Sequence, residues 1–125
     1  MRTPNRPKIA AVCTVFFKHS HTQHIVDRFL DGYGWNGKHH HPPMDLVSLY
    51  VDQVGSTDLS HERAARHPEL RMSKTIADAL TLGGDKLAVD GVVLVGEHGK
   101  YPRNEKGQTK YPRYEFFEQI VDVFR

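Results

Sequence analysis

The sequence has a single cysteine, Cys13, among its 125 residues. One cysteine excludes an internal disulfide, so nothing covalent beyond the backbone holds this chain together. Cys13 lies in the nearly continuous apolar run 8–17 (KIAAVCTVFF). That setting favours a buried structural thiol over a catalytic nucleophile.

Long apolar runs and an excess of one charge are also missing. No run approaches the roughly 20 apolar residues that a membrane-spanning helix needs. The polar N-terminus (residues 1–8), with its two prolines, is unlike a signal peptide. Lys and Arg number 17 against 15 Asp and Glu, which is not the balance of a nucleic-acid-binding protein. We therefore expect a soluble, cytoplasmic protein with no nucleic-acid or membrane partner.

The chain does have the length and composition of one globular domain. Hydrophobic residues make up 38% and charged residues 26%, and no segment repeats or is of low complexity. A chain of this length buries one core but is too short for two. We predict a single domain over residues 1–125.

Apolar strands alternate with amphipathic helices along this domain. Runs of β-branched and aromatic residues predict strands at 8–17, 45–52 and 89–96, with a weak strand at 69–73. Helical periodicity and capping residues predict helices from Ser20 to Tyr33, at 58–67, at 75–82 and at 114–124, with a loop at 35–44. The helix at 58–67 is expected to begin at Thr57 or Asp58.

Strands that alternate with helices indicate a parallel sheet joined by crossover connections. We predict an α/β, Rossmann-like fold with four strands in the order 3-2-1-4. The last helix has no strand after it and presents several apolar residues. The pattern therefore predicts either a truncated domain or a homodimer in which a second copy completes the sheet or covers this helix.

The order of these elements resembles the N-terminal domain of the Gfo/Idh/MocA-type oxidoreductase superfamily, which includes glucose-fructose oxidoreductase and inositol dehydrogenase. The segment TIADALTLGGDKLAVDGVVLVGEHG carries most of the likeness, together with SHTQHIVDRFL, LYVDQ and GEHGKYPRNEKGQ. The resemblance implies an NAD(P)-binding domain in which Asp52 binds the ribose. It also implies a catalytic lysine and a substrate domain, neither of which this chain contains, so we expect a truncated version of a larger protein.

One part of the family pattern differs here. Members of the superfamily bind NAD(P) through a glycine-rich turn after the first strand. At the corresponding place this sequence has FFKHSHTQH, which contains no glycine. Glycines let the backbone approach a pyrophosphate, and the bulky Lys18, His19 and His21 would obstruct that approach. We therefore expect other residues to carry the chemistry.

Histidines and carboxylates follow the strands at the edge where open α/β sheets bind ligands. His19, His21 and His24 follow the first strand, and Glu97 and His98 follow the fourth. In the order 3-2-1-4 these two strands are neighbours, so we expect His19 or His21 to lie close to Glu97 and His98. Imidazole and carboxylate groups from adjacent strands suit a divalent metal such as Zn²⁺ or Mn²⁺. We predict metal ligands at His19, His21, His24 and His98, with Glu97 as a catalytic group. A solvated His24 is the alternative, because it points away from the apolar stripe.

A basic loop over 99–113 (GKYPRNEKGQTKYPR) comes directly after the Glu97–His98 pair. Arg103 is suited to bind a small anionic substrate through its forked donors, and Tyr101 to bind or protonate a leaving oxygen. A solvated basic loop is the alternative interpretation.

Two functions of different classes follow from these residues, and a non-catalytic domain whose missing half removed its function is the third alternative. The first is a small metal-dependent hydrolase of phosphate esters or similar activated esters. The second is an NAD(P)-binding module with Asp52 on the ribose.

Overall fold

The computed structural model describes residues 6–125. Residues 1–5, and with them most of the N-terminal segment that we judged unlike a signal peptide, lie outside this range. The elements in chain order are β1 (Lys8–Cys13), α1 (His21–Leu30), β2 (Tyr33–Trp35), β3 (Lys38–His40), β4 (Asp45–Val51), α2 (Ser60–Arg66), β5 (Arg71–Ser73), α3 (Ile76–Thr81), β6 (Gly91–Val95) and α4 (Arg113–Phe124).

Four of the strands form one parallel sheet in the order β5-β4-β1-β6. This confirms the predicted α/β class with a parallel sheet and flanking helices. The strand numbers differ from the predicted order 3-2-1-4 because β2 and β3 are also numbered in chain order but lie outside this sheet. Counted alone along the chain, the four strands of the sheet follow the order third, second, first, fourth.

The sheet is buried on both faces, as the apolar run of the first strand predicts. Alternate residues of β1 enter two separate cores. Ala11 and Cys13 belong to the core that includes Val26 of α1. Ala10 and Val12 belong to the core on the other face, which contains residues of α3 and α4.

Side-chain caps begin two of the helices, as the sequence predicts. Ser20 Oγ accepts a hydrogen bond from the backbone N–H of Gln23 at 3.1 Å, and Thr75 Oγ1 accepts one from that of Asp78 at 2.9 Å. The pair Ser20 and Gln23 has the sequence of a capping box, in which Gln23 would accept from the N–H of Ser20 itself. In the structure Gln23 Oε1 accepts instead from the N–H of His19, one residue further back. These caps satisfy amides that the first helical turn leaves without partners.

The prediction of a loop over 35–44 is wrong in its first half. β2 and β3 pair as an antiparallel hairpin, and helix α1 ends at Leu30 instead of continuing to Tyr33. The two residues between these strands are Asn36 and Gly37, which have φ of 53° and 74°. An Asn-Gly pair with positive φ is a strong hairpin signal, and its twist matches that of the strands. Strands of three residues are too short to show a period of their own.

The start of helix α2 and the burial of helix α4 also differ from the prediction. The N-cap of α2 is Leu59, with no side-chain cap, although Asp58 Oδ2 accepts from the N–H of Ser60 at 2.9 Å. On α4 the predicted apolar face is only partly covered. Phe116 is buried, whereas Phe117 and Phe124 are 58% and 50% exposed.

No helix within residues 6–125 is long and apolar enough to cross a membrane.

Candidate functional site

The loops that follow β1, β4 and β6 meet at the carboxyl edge of the sheet. They enclose an open cleft of about 780 Å³. Parallel strands place their carboxyl ends at one edge, which is where open α/β sheets bind ligands. The residues that line the cleft are Val15, Phe16, Phe17, Gln53, Val54, Gly55, Ser56, Thr57, Asp58, His98, Gly99, Lys100 and Tyr111.

Two imidazoles meet beside this cleft. His21 is the first residue of α1, directly after the Ser20 cap, and His98 follows β6. His21 Nδ1 lies 3.0 Å from His98 Nε2, a hydrogen-bonding distance. The ring of Phe17 packs against that of His98, with centroids 5.4 Å apart. The structure thus brings together two of the four predicted metal ligands.

The backbone that carries His98 has an uncommon conformation. His98 has a φ of 65° and the next residue, Gly99, a φ of 116°. A side chain at Gly99 would collide with the ring of Tyr101, since an added Cβ would lie 2.5 Å from it. A histidine in the left-handed region costs free energy, and such residues are concentrated at functional sites.

Two side chains after β4 hold the basic loop against this edge. Gln53 Oε1 accepts from the N–H of Lys100 at 2.8 Å, and Gln53 Nε2 donates to its carbonyl at 2.7 Å. Tyr101 donates its hydroxyl to one oxygen of Asp52 at 2.7 Å, and Tyr50 donates to the other at 2.6 Å. Asp52, the residue that the family resemblance assigns to the ribose, is therefore used inside the chain.

The two phenols beside Asp52 remain protonated. Partial burial, followed by the hydrogen bond to this carboxylate, raises the pKa of Tyr50 and of Tyr101 well above the ordinary tyrosine value. A tyrosine whose proton is already committed to a carboxylate is poorly placed to protonate a leaving group. Tyr101 therefore serves to attach the loop in this structure.

Glu97 pairs with an arginine and not with the imidazoles. Arg113, at the start of α4, places its guanidinium 2.8 Å from Glu97 Oε1 and donates from Nε to the carbonyl of Gly96 at 2.8 Å. Gly96 leaves room for this arginine, because an added Cβ would lie 2.6 Å from Arg113 Cγ. The carboxylate is thus held at the end of β6 by the following helix.

The other predicted site residues lie elsewhere. His19 and His24 are exposed, with ring centroids 6.2 Å apart, and line a different surface pocket with Gln23 and Asp27. Arg103 is exposed on the basic loop, where it forms a backbone bridge with Thr109. None of these residues lines the cleft.

Within the described part of the chain, no group of three or more His, Cys, Asp or Glu side chains is placed to hold a metal ion. The His21–His98 pair offers two nitrogens. Two nitrogens bound to one tetrahedral zinc at about 2.05 Å are about 3.3 Å apart, close to their 3.0 Å separation here. A metal at this pair would take its other ligands from water and from substrate.

Comparison with known proteins identifies no relative. No family model, curated protein or solved structure matches this chain. The function must therefore be argued from the residues of the site.

Sequence reasoning missed two residues that line the cleft. Gln53 directly follows Asp52 at the end of a strand, so its position alone was a signal. Asp58 was read only as a possible helix start, yet it lines the cleft. Its Oδ2 accepts from Ser60, whereas its Oδ1 is buried without a hydrogen-bond partner.

Proposed function

We propose that this protein is a small hydrolase of phosphate esters that uses a divalent metal held by His21 and His98. The observation that carries the proposal is the 3.0 Å approach of His21 Nδ1 to His98 Nε2. Of the two residues, His98 lines the cleft, and His21 lies beside it in a neighbouring pocket with Glu97. The two residues are 77 positions apart in the chain, so only the fold brings their side chains together.

The surroundings of this pair support a reactive site. His98 has a positive φ and lines the cleft. Lys100 lines the same cleft two residues later and supplies a cation for an anionic substrate. Zn²⁺ or Mn²⁺ at such a site would polarise a phosphoryl oxygen and lower the pKa of a bound water toward neutrality.

The chain's own residues would prepare the site for this chemistry. The Ser20 cap begins α1 and thereby orients His21, and Phe17 packs against the ring of His98. The Gln53 contacts hold Lys100 at the rim. Arg113 neutralises Glu97, so that this carboxylate does not repel an anionic substrate.

The test is the metal content and phosphatase activity of tag-free protein. We expect about one zinc or manganese per chain and hydrolysis of p-nitrophenyl phosphate. The double variant His21→Ala, His98→Ala should lose the metal and at least about 100-fold in kcat/KM, because a metal supplies several kcal/mol of transition-state stabilisation.

The matched control is the double variant His24→Ala, His61→Ala. It removes two exposed histidines that do not line the cleft. This control should keep both metal and activity. Wild-type protein without metal, or activity that survives in the His21→Ala, His98→Ala variant, would overturn the proposal.

A further inference from the structure

Strand β6 forms one edge of the parallel sheet. Within residues 6–125 it pairs only with β1, on one of its two sides. The backbone N–H of Thr14 donates to the carbonyl of Val95, so Val95 directs its backbone polar groups toward β1. Backbone groups of alternate residues in a strand point to opposite sides, which leaves those of Val92 and Leu94 directed away from the sheet. This edge therefore offers hydrogen-bond donors and acceptors to a further strand.

The opposite edge of the sheet is protected, whereas this one is not. Strand β5 has only three residues and begins with the exposed Arg71. Proteins protect sheet edges with short strands, charged side chains or proline, because an open edge pairs with other chains. Strand β6 has five residues, GVVLV, and contains neither a charge nor a proline. Its length and composition are those of a strand that pairs on both sides.

Apolar side chains flank β6 on both faces of the sheet. On the face that α1 covers, the exposed Ile25 lines a pocket together with Leu94. On the other face, Arg113 of α4 reaches the end of β6, where it donates to the carbonyl of Gly96. Phe117 lies four residues after Arg113, on the same side of that helix, and is more than half exposed. A folded chain that pairs with β6 therefore brings its own layers against both Ile25 and Phe117.

We infer that this partner is a second copy of the chain, paired antiparallel through β6 about a two-fold axis at Val93. In this register Val92 lies opposite Leu94 of the second copy, and the two residues exchange both of their hydrogen bonds. By symmetry Leu94 does the same with Val92 of the second copy, so that all of these outward backbone groups are used. The interface is self-complementary, and the two sheets become one continuous sheet.

The charges at the two ends of β6 favour the same pairing. The register places Asp90, an exposed residue just before β6, opposite Gly96 of the second copy. Arg113 covers Gly96, since an added Cβ there would lie 2.6 Å from Arg113 Cγ. A carboxylate of each copy thus lies beside a guanidinium of the other, and opposite charges across a strand pair are stabilising. The inference concerns assembly and rests neither on the metal nor on the proposed reaction.

The test is sedimentation velocity of the full chain over a range of concentrations. We expect a species of twice the mass of one chain. Val92→Pro should raise the dissociation constant at least about tenfold, because it removes an N–H that only the second copy binds. Proline is tolerated in an edge strand where the N–H faces outward. Wild-type protein that stays monomeric at about 100 µM would overturn the inference and leave the edge to a strand of a different protein.

A second variant keeps the test decisive if Val92→Pro fails to fold. Phe117→Asp changes an exposed side chain and should also raise the dissociation constant at least about tenfold, because the dimer would bury its charge. The matched control is Trp35→Asp, which changes an exposed aromatic residue on the β2–β3 hairpin and should leave the dissociation constant unchanged. Equal dissociation constants for Phe117→Asp and Trp35→Asp would overturn the inference.

A cysteine at the two-fold axis tests the register. Val93 would face Val93 of the second copy in a pair without hydrogen bonds, where the Cα atoms lie about 4.5 Å apart. That separation permits a disulfide, so Val93→Cys should cross-link to its own copy on oxidation with diamide, whereas Trp35→Cys should not. The native Cys13 is buried and does not compete. A dimeric Val93→Cys variant that does not cross-link would place the contact on another surface and overturn the β6 pairing.

Discussion

Cys13 shows how the surroundings of a single residue set its chemistry. Its side chain is fully buried at the end of β1, in the core that contains Val26. Burial raises the pKa of this thiol to about 12. The thiolate is the reactive form of cysteine, so the folded protein should keep this group inert.

This shifted pKa predicts a loss of stability at high pH. The folded state holds the thiol proton more tightly than the unfolded state, whose pKa lies near 9.0. The corresponding stability is fully present below pH 9 and is lost as the pH rises from there toward 12. Urea denaturation at pH 8 and pH 10.5 should therefore show a larger loss of stability for wild type than for Cys13→Ala. Equal losses would show that this thiol does not titrate differently in the two states.

Asp52 shows a second effect at the scale of the residue. Its position after a strand suggested a ribose ligand, but its two oxygens accept from Tyr50 and Tyr101. The identity and position of an acidic residue do not determine its hydrogen-bond partner. Hydroxyl groups of a ligand and of the protein itself are equivalent donors to a carboxylate.

Elements whose signals are local could be predicted from the sequence. The caps of α1 and α3 depend on residues three positions apart. Three of the four strands of the sheet, β1, β4 and β6, contribute apolar residues to the cores on both faces. The hairpin of β2 and β3 was missed because three-residue strands carry no periodicity. The exposure of Phe117 on α4 was missed because the periodicity marks an apolar face without saying how much of it is covered.

A bidentate ion pair joins helix α1 to helix α2. Arg63 donates from two nitrogens to the two oxygens of Asp27, at 2.7 and 2.8 Å, and its guanidinium lies 5.7 Å from the centroid of the Phe16 ring. Only 11% of the Arg63 side chain is exposed. A partly buried, forked contact of this kind is stronger than an ordinary surface ion pair.

Arg63→Lys should therefore destabilise the protein by about 1–2 kcal/mol, because an ammonium cannot bind both oxygens in the same plane or stack on the ring. Chemical denaturation measures this loss. The matched control is Arg66→Lys, on the same helix, which has a 45% exposed side chain and pairs with the exposed Asp31. We expect Arg66→Lys to lower the free energy of unfolding by less than about 0.5 kcal/mol. Equal losses of stability in the two variants would mean that the forked geometry of the Arg63–Asp27 pair does not stabilise the protein.

At the scale of the whole molecule, the parallel sheet brings loops from distant parts of the chain to one edge. The loop after β4 holds the loop after β6 through the two hydrogen bonds between Gln53 and Lys100. These bonds span 47 positions in the sequence. The shape of the cleft therefore depends on contacts that form only when the sheet is complete.

Gln53→Ala should loosen the basic loop without unfolding the domain. Both hydrogen bonds are lost, so hydrogen exchange and tryptic cleavage within residues 99–111 should rise several-fold, while the far-ultraviolet circular dichroism stays unchanged. Gln119→Ala, an exposed position on α4, is the control. Equal cleavage of the two variants would show that Gln53 does not hold the loop.

The sequence by itself determined the α/β class, the strands of the sheet, two helix caps and the edge at which polar residues collect. These features follow from apolar periodicity and from contacts between near neighbours. The predicted strand order also indicated that His19 or His21 would lie close to Glu97 and His98. Only the tertiary structure decided that His21 is the one that meets His98, that Glu97 pairs with Arg113, and that His19 and His24 face elsewhere. Such pairings depend on the backbone angles at His98 and on the direction in which each side chain leaves its element, and no local pattern encodes either.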